Sequence, residues 1–83
     1  MKIAATLAWQ NLGNDFVVVD LKAAKLLGMN ASAGRIIEWV SQGMDFDAMV
    51  EAMTAEFEVS PERASAHIGC FLSTLRHRGL VIE

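Results

Sequence analysis

Only one of the 83 residues is cysteine and only one is proline, and tyrosine is missing altogether. A lone Cys70 excludes an internal disulfide. Set between Gly69 and Phe71 in an apolar helical pattern, it reads as a small core or groove residue rather than a nucleophile, which fits a reducing cytoplasm. No Pro-, Gly- or Ser-rich linker divides the chain, so residues 1–83 are expected to form a single domain, near the size at which one apolar core is just sufficient. No apolar run approaches the roughly eighteen residues needed to span a bilayer. The stretch from Met1 to Trp9 carries one Lys and lacks the apolar middle of a secretion signal, so neither membrane nor targeting is expected.

Charge is also sparse. Charged residues make up 20% of the chain, the net charge is -3, and the pI is about 5.2. That is the wrong sign for a domain whose affinity comes from neutralising phosphates, which disfavours nucleic acid. His67 and His77 stand ten apart with Cys70 between them, and there is no Cys pair and no His-Glu-x-x-His spacing, so no metal or other cofactor is expected. Gly13, Gly28, Gly43 and Gly79 stand singly, where turns and element ends explain them without a phosphate loop. Asp45, Asp47, Glu51, Glu56, Glu58 and Glu62 gather on and around one predicted helix but fall off its apolar stripe. A catalytic carboxylate pair needs burial, so these acids read as a solvated face, and the chain reads as non-enzymatic. What the chain has in abundance is apolar residues, 53% of the total, with a mean hydropathy of +0.32. Either the core is tight and surface apolars are scattered, or apolar surface is kept for a partner.

Local patterning predicts a small sheet over residues 1–29 and three helices after it. A short strand is expected near Ala5 to Trp9, then a turn cluster over Asn11 to Asp15. Phe16 to Leu21 is a β-branched strand, and after a connection over Lys22 to Lys25 the residues Leu26 to Met29 complete a hairpin. The Ala pair in that connection is unusual for a two-residue turn and calls for a longer loop. Asn30 caps a helix over about 31–42, whose residues Ala33, Ile36, Ile37 and Val40 share one face and which Gly43 ends. Asp45 caps a second helix over about 45–57, with Phe46, Met49, Val50, Met53 and Phe57 as its stripe. Ser60-Pro61-Glu62 opens a third over about 60–78: Ser at the cap, Pro where its missing N–H costs nothing, and Glu favoured by the helix dipole. Ala64, Ile68, Phe71, Leu72 and Leu75 face inward, and Gly79 ends the helix before Leu80, Val81 and Ile82, a tail that pairs with another segment or simply packs. Arg63, His67, Thr74 and Arg78 lie along one flank of this helix, either as ordinary soluble surface or as the lining of a groove beside the hairpin.

In order and spacing, the hairpin, Met29-Asn30, the helices ending at Gly43 and Phe57, Ser60-Pro61-Glu62, and Phe71-Leu72 through Leu75 to Arg78-Gly79-Leu80 resemble the PqqD-like family, the coenzyme PQQ synthesis protein D type of precursor-peptide recognition element. The likeness covers about Phe16 to Ile82, with Met29-Asn30 where the family has Leu-Asn. It implies an α+β, winged helix-turn-helix-like fold: a small N-terminal three-stranded antiparallel sheet followed by a three-helix bundle. It also implies a chaperone that binds the leader segment of a ribosomally made precursor peptide and presents it to a modifying enzyme, often a radical SAM enzyme. In the family the leader adds as a strand to the hairpin edge and packs on the third helix. On this sequence those positions are Lys25, Leu26, Leu27, Gly28 and Met29 on the strand, with Arg63, His67, Phe71 and Thr74 on the helix. Pro at position 27 would then be expected to abolish binding by removing an edge donor. The competing readings are a winged-helix DNA-binding regulator and an enzyme-binding or dimerisation subunit whose open edge pairs with itself.

Overall fold

A computed structural model describes residues 1–12, 15–22 and 24–82. Five strands and three helices follow one another as β1 (Lys2–Ile3), β2 (Leu7–Asn11), β3 (Phe16–Asp20), β4 (Lys25–Met29), α1 (Ala31–Ser41), α2 (Phe46–Phe57), α3 (Pro61–His77) and β5 (Val81–Ile82). Strands β2, β3 and β4 form the expected three-stranded antiparallel sheet, in chain order. A second, two-stranded ribbon pairs Lys2 with Ile82 and Ile3 with Val81. The C-terminal tail therefore does pair, and its partner is the opposite end of the chain.

The first strand of the main sheet begins at Leu7 rather than Ala5, because Ala4 to Thr6 turn the chain from the ribbon into the sheet: the Leu7 N–H donates to the Ala4 carbonyl at 3.0 Å. Of the turn expected between β2 and β3, Gly13 and Asn14 lie outside the described residues, and Leu12 N–H donates to Asp15 O at 2.8 Å across it. The hairpin loop between β3 and β4 is longer than two residues, as the Ala pair demanded. Asp20 Oδ1 accepts from the Lys22 N–H at 3.1 Å, and Ala24 takes a left-handed φ of 55°; Ala23 lies outside the described residues. A Cβ in that region costs about 1–2 kcal/mol. Ala24→Gly is therefore expected to raise stability by about 0.5–1 kcal/mol once the greater freedom of glycine in the unfolded chain is subtracted, read as a higher urea midpoint at unchanged slope.

All three predicted caps are made. Asn30 Oδ1 accepts from Ala33 N–H at 2.9 Å, Asp45 Oδ1 from Ala48 N–H at 2.8 Å, and Ser60 Oγ from Arg63 N–H at 3.2 Å. Each satisfies a donor that the helix leaves unpaired. Gly43 and Gly79, at φ 82° and 72°, occupy the left-handed positions just past α1 and α3, where a side chain would be strained.

Helix α1 is the central element. Its Ile36, Trp39 and Val40 pack with Met49 and Met53 of α2 and with Ala64, Ile68 and Leu72 of α3. Its Ile37 turns to the other side, against Leu7, Phe16 and Val18 of the sheet and Leu75, Leu80 and Val81 near the C-terminus. A helix buried against two layers needs a wider apolar arc than a single stripe, which is why Trp39, outside the expected stripe, is also buried. Gly34 lies where α1 crosses β3, so close that a Cβ there would collide with the Phe16 ring. Two other expectations are corrected. Phe46, at the open end of α2, is exposed rather than part of its buried stripe, and Cys70 lies on the solvent side of α3 rather than in the core. Among the described residues no helix is long and apolar enough to cross a membrane.

Candidate functional site

The register of the sheet decides which backbone groups are left free. In an antiparallel ladder, the N–H and C=O of one residue point together toward one neighbouring strand, and those of the next residue point the other way. Leu21 N–H donates to Thr6 O at 2.8 Å, and Leu12 N–H to Asp15 O at 2.8 Å. Both pairs continue the β2–β3 register, in which Leu7 faces Asp20 and Asn11 faces Phe16. The odd-numbered residues of β3 therefore bond to β2, and Phe16, Val18 and Asp20 bond to β4. Their partners are Met29, Leu27 and Lys25. Leu26 and Gly28 are what remains: their N–H and C=O groups point away from the sheet along the outer edge of β4.

This parity corrects the expectation for position 27. The Leu27 N–H belongs to the pairing with Val18, so Pro there breaks the domain's own sheet, whereas the donors of the free edge are at Leu26 and Gly28. Gly28 is also corrected as a structural punctuator, because it stands inside β4 and not at its end. A Cβ built on it meets nothing within 4 Å, so the space over that residue is open to an approaching backbone.

Asn30 links the end of β4 directly to α1, and this link carries the edge toward α3. Ser32 Oγ donates to Asn30 Oδ1 at 3.0 Å and lies 3.4 Å from His67 Nε2. Beside that contact is a cavity of about 340 Å³ lined by Ser32, Met53, Phe57, Val59, Arg63 and His67. Met53 is fully buried there, while Arg63 and His67 are exposed. The pocket thus has an apolar floor and a rim with cationic and hydrogen-bonding groups, and among the described residues no carboxylate lines it.

The sequence-predicted helix residues divide between different surroundings. Arg63 and His67 come together at the cavity. Phe71 is half-buried and packs against both core clusters, against one of which Met29 also packs. Thr74, a turn further along, is exposed, and its hydroxyl donates to Cys70 O at 3.1 Å, within its own helix; it does not line the cavity. Ser32 and Val59 were not anticipated, and Met53 and Phe57 were read as core alone. The spacing of Met53 and Phe57 marks them as one face of α2, but not that Ser32, Val59, Arg63 and His67 line a pocket with that face.

Electrostatically the surroundings are simple. Arg35 of α1 bonds to Glu56 of α2 at 2.8 Å and to Glu38 at 3.1 Å. The Glu56 hydrogen bond, set against some desolvation, holds its pKa above the usual arginine value. Asp45, Asp47, Glu51, Glu56, Glu58 and Glu62 are all exposed, as a solvated face requires. Among the described residues no group of His, Cys, Asp and Glu is placed to hold a metal ion.

Together these features define an α+β, winged helix-turn-helix-like domain with an open sheet edge leading to a pocket between helices. The sequence profile described as Coenzyme PQQ synthesis protein D (PqqD) matches residues 15–81, and the chain belongs to that family. Two solved structures share the fold. "TbiB1 in Complex with the TbiA(beta) Leader Peptide" is 24% identical, with a TM-score of 0.85 over 96% of this chain and 93% of that one. "Lasso peptide synthetase B1 complexed with the leader peptide" is 17% identical, with a TM-score of 0.85 over 99% of this chain and 96% of that one. No curated protein sequence gives a match.

Proposed function

We propose that this chain is a non-enzymatic, cytoplasmic recognition domain that binds the leader segment of a ribosomally made precursor peptide as an added strand on β4 and presents the rest of that peptide to a modifying enzyme, of the radical SAM class in the reading drawn from the family. The observation that carries the proposal is the pairing of a free edge, at Leu26 and Gly28, with an apolar, cation-rimmed pocket reached from the end of the same strand. Membership of the PqqD family supports it, and so does a fold shared with two proteins solved with leader peptides bound.

The two parts of the site do different physical work. Backbone groups on an edge recognise any extended polypeptide, so they give affinity with little demand on sequence. Selection then falls to side-chain pockets. An extended leader loses conformational freedom on docking, and an apolar side chain seated over Met53, Phe57 and Val59 supplies free energy to offset that loss. Arg63 and His67 at the rim favour a leader whose buried residue is flanked by Asp or Glu. In this reading Lys25, Leu26, Leu27, Gly28 and Met29 provide the strand, Arg63 and His67 the rim, and Phe71 and Thr74 the helix surface along which the leader runs. A short edge with Lys25 at its start is also protected against indiscriminate pairing with other chains.

The charge at the rim can be tested separately. Arg63→Glu is expected to weaken binding of the cognate leader about tenfold at low ionic strength, with much of that difference lost above about 0.5 M salt, because an exposed pair is screened. Calorimetric titration at two salt concentrations reads this directly. Affinity indifferent to both the substitution and the salt would remove Arg63 from the site. Double-stranded DNA is expected to leave the chain unshifted in a gel, since Glu58 and Glu62 flank the start of α3 and would face the phosphates.

A further inference from the structure

The helices cover one side of the main sheet, and the other side is mainly apolar and carries no helix. Leu7, Phe16 and Val18 point inward to the core, so by alternation Ala8 and Gln10 of β2, Val17 and Val19 of β3, and Leu26 and Gly28 of β4 point outward. The bond from Leu21 N–H to Thr6 O extends the ladder by one pair, placing Leu21 on this outer side as well. Register aligns Ala8, Val19 and Leu26 in one row across the three strands. Leu26 is 73% exposed and Leu21 63% exposed, and the row holds no charged residue. An antiparallel sheet with one face on a core ordinarily alternates to polar residues on the other; here the outward residues of β2, β3 and β4 are apolar apart from Gln10 at the far end.

The face is continuous with the proposed docking edge. A strand added beyond β4 would place every second residue of the leader beside Leu26 and Gly28, on the same outer side. Bare backbone at Gly28 leaves half-buried Val17 without a side-chain neighbour on that edge, so a leader side chain there would complete the surface. The occupied face is then part domain and part leader. Its size argues against a second copy as the cover. Three strands of about five residues present a plane on the order of 200 Å², against about 800 Å² per partner in a stable interface. A partner that also grips the bound leader gains the remaining area.

We propose that the outer face of the sheet, centred on Val19, Leu21 and Leu26, is the docking surface for the modifying enzyme, which meets it with an uncharged, apolar patch and binds it more tightly when the leader is in place. This rests on leader addition at β4. Because coupling between two ligands is reciprocal, the enzyme in turn tightens leader binding by the same factor. The domain would therefore deliver loaded peptide in preference to competing for the enzyme while empty.

The test uses the whole chain, its cognate leader peptide and the purified modifying enzyme of the same pathway, with Leu21→Glu, just past the end of β3, and Ala8→Glu, in β2, as variants that leave Leu26 and Gly28 untouched. Circular dichroism establishes that both are folded, and titration with leader alone is expected to give wild-type affinity. Enzyme affinity is expected to rise about tenfold on adding leader to the wild type, and to fall at least tenfold in both variants with the leader-dependent rise abolished. Enzyme binding that is unchanged in folded variants overturns the proposal. So does leader-independent self-association of the wild type that Leu21→Glu removes, since the face would then belong to a second copy. If the wild type fails to bind leader at all, strand addition itself is wrong, and that outcome is read in the leader titration before any enzyme is added.

Discussion

Leu26→Pro is expected to leave the domain folded and to lower its affinity for the cognate leader by about tenfold to a hundredfold, the cost of an edge donor lost and a buried acceptor left unpaired. Ladder parity is the reason. The Leu26 N–H points out of the sheet, so proline there removes no bond that the domain itself uses, and edge strands tolerate proline on their solvent side. Its ring also stands where the backbone of an added strand must approach. Leu27→Pro is the contrasting control, since that N–H pairs with Val18, and its loss is expected to unfold or loosen the sheet whether or not leader is present. Calorimetric titration and thermal unfolding of the two variants separate these effects. Equal loss of leader affinity in both, with both fully folded, would mean that the parity is wrong.

Gly34→Ala is expected to cost stability without unfolding the domain, a net loss of about 1–2 kcal/mol. Overpacking typically costs about 1–3 kcal/mol. Here the collision is with the ring of Phe16, which is itself buried beneath α1 and has little room to move. The better helix propensity of alanine returns about 1 kcal/mol of that cost. A domain of this length has a total stability of roughly 4–12 kcal/mol, so the change should be plain in a denaturant titration. Phe16→Leu in the same chain relieves the collision, and the double variant is expected to be more stable than the sum of the two single losses allows. Strict additivity would show that the two positions do not touch.

What was legible in the sequence is what depends on near neighbours. Asn30, Asp45 and Ser60 announce their helices because a cap bonds to an N–H three residues on. The central strand was readable from its β-branched run, and the order of caps, turns and helix ends was enough to place the chain in its family. The ribbon of β1 and β5 was not legible, because two-residue strands carry no periodicity and the pairing of Lys2 with Ile82 joins opposite ends of the chain. Burial of Trp39 escaped for a related reason, since a helix enclosed by two layers is not described by one stripe. At the candidate site, the sequence offers the strand and the Arg63–His67 flank as expectations, but it does not say which strand residues face outward. Alternation says only that every second residue does. The register with β3, together with the Leu21–Thr6 bond, chooses Leu26 and Gly28 over Leu27. The pocket floor was hidden in the same way: the spacing of Met53 and Phe57 marks them as core, and Met53 is indeed buried, but it does not show that Ser32, Arg63 and His67 line a cavity with them.

Amide hydrogen exchange, followed residue by residue with and without the cognate leader, tests the proposed docking most directly. The amides of Leu26 and Gly28 are expected to exchange freely in the unbound chain and to become strongly protected on saturation with leader, while those of Lys25, Leu27 and Met29 are already slow and change little. Protection that appears instead at Trp9 and Asn11, on the opposite edge of the sheet, or at neither edge while the leader is demonstrably bound, would contradict strand addition at β4.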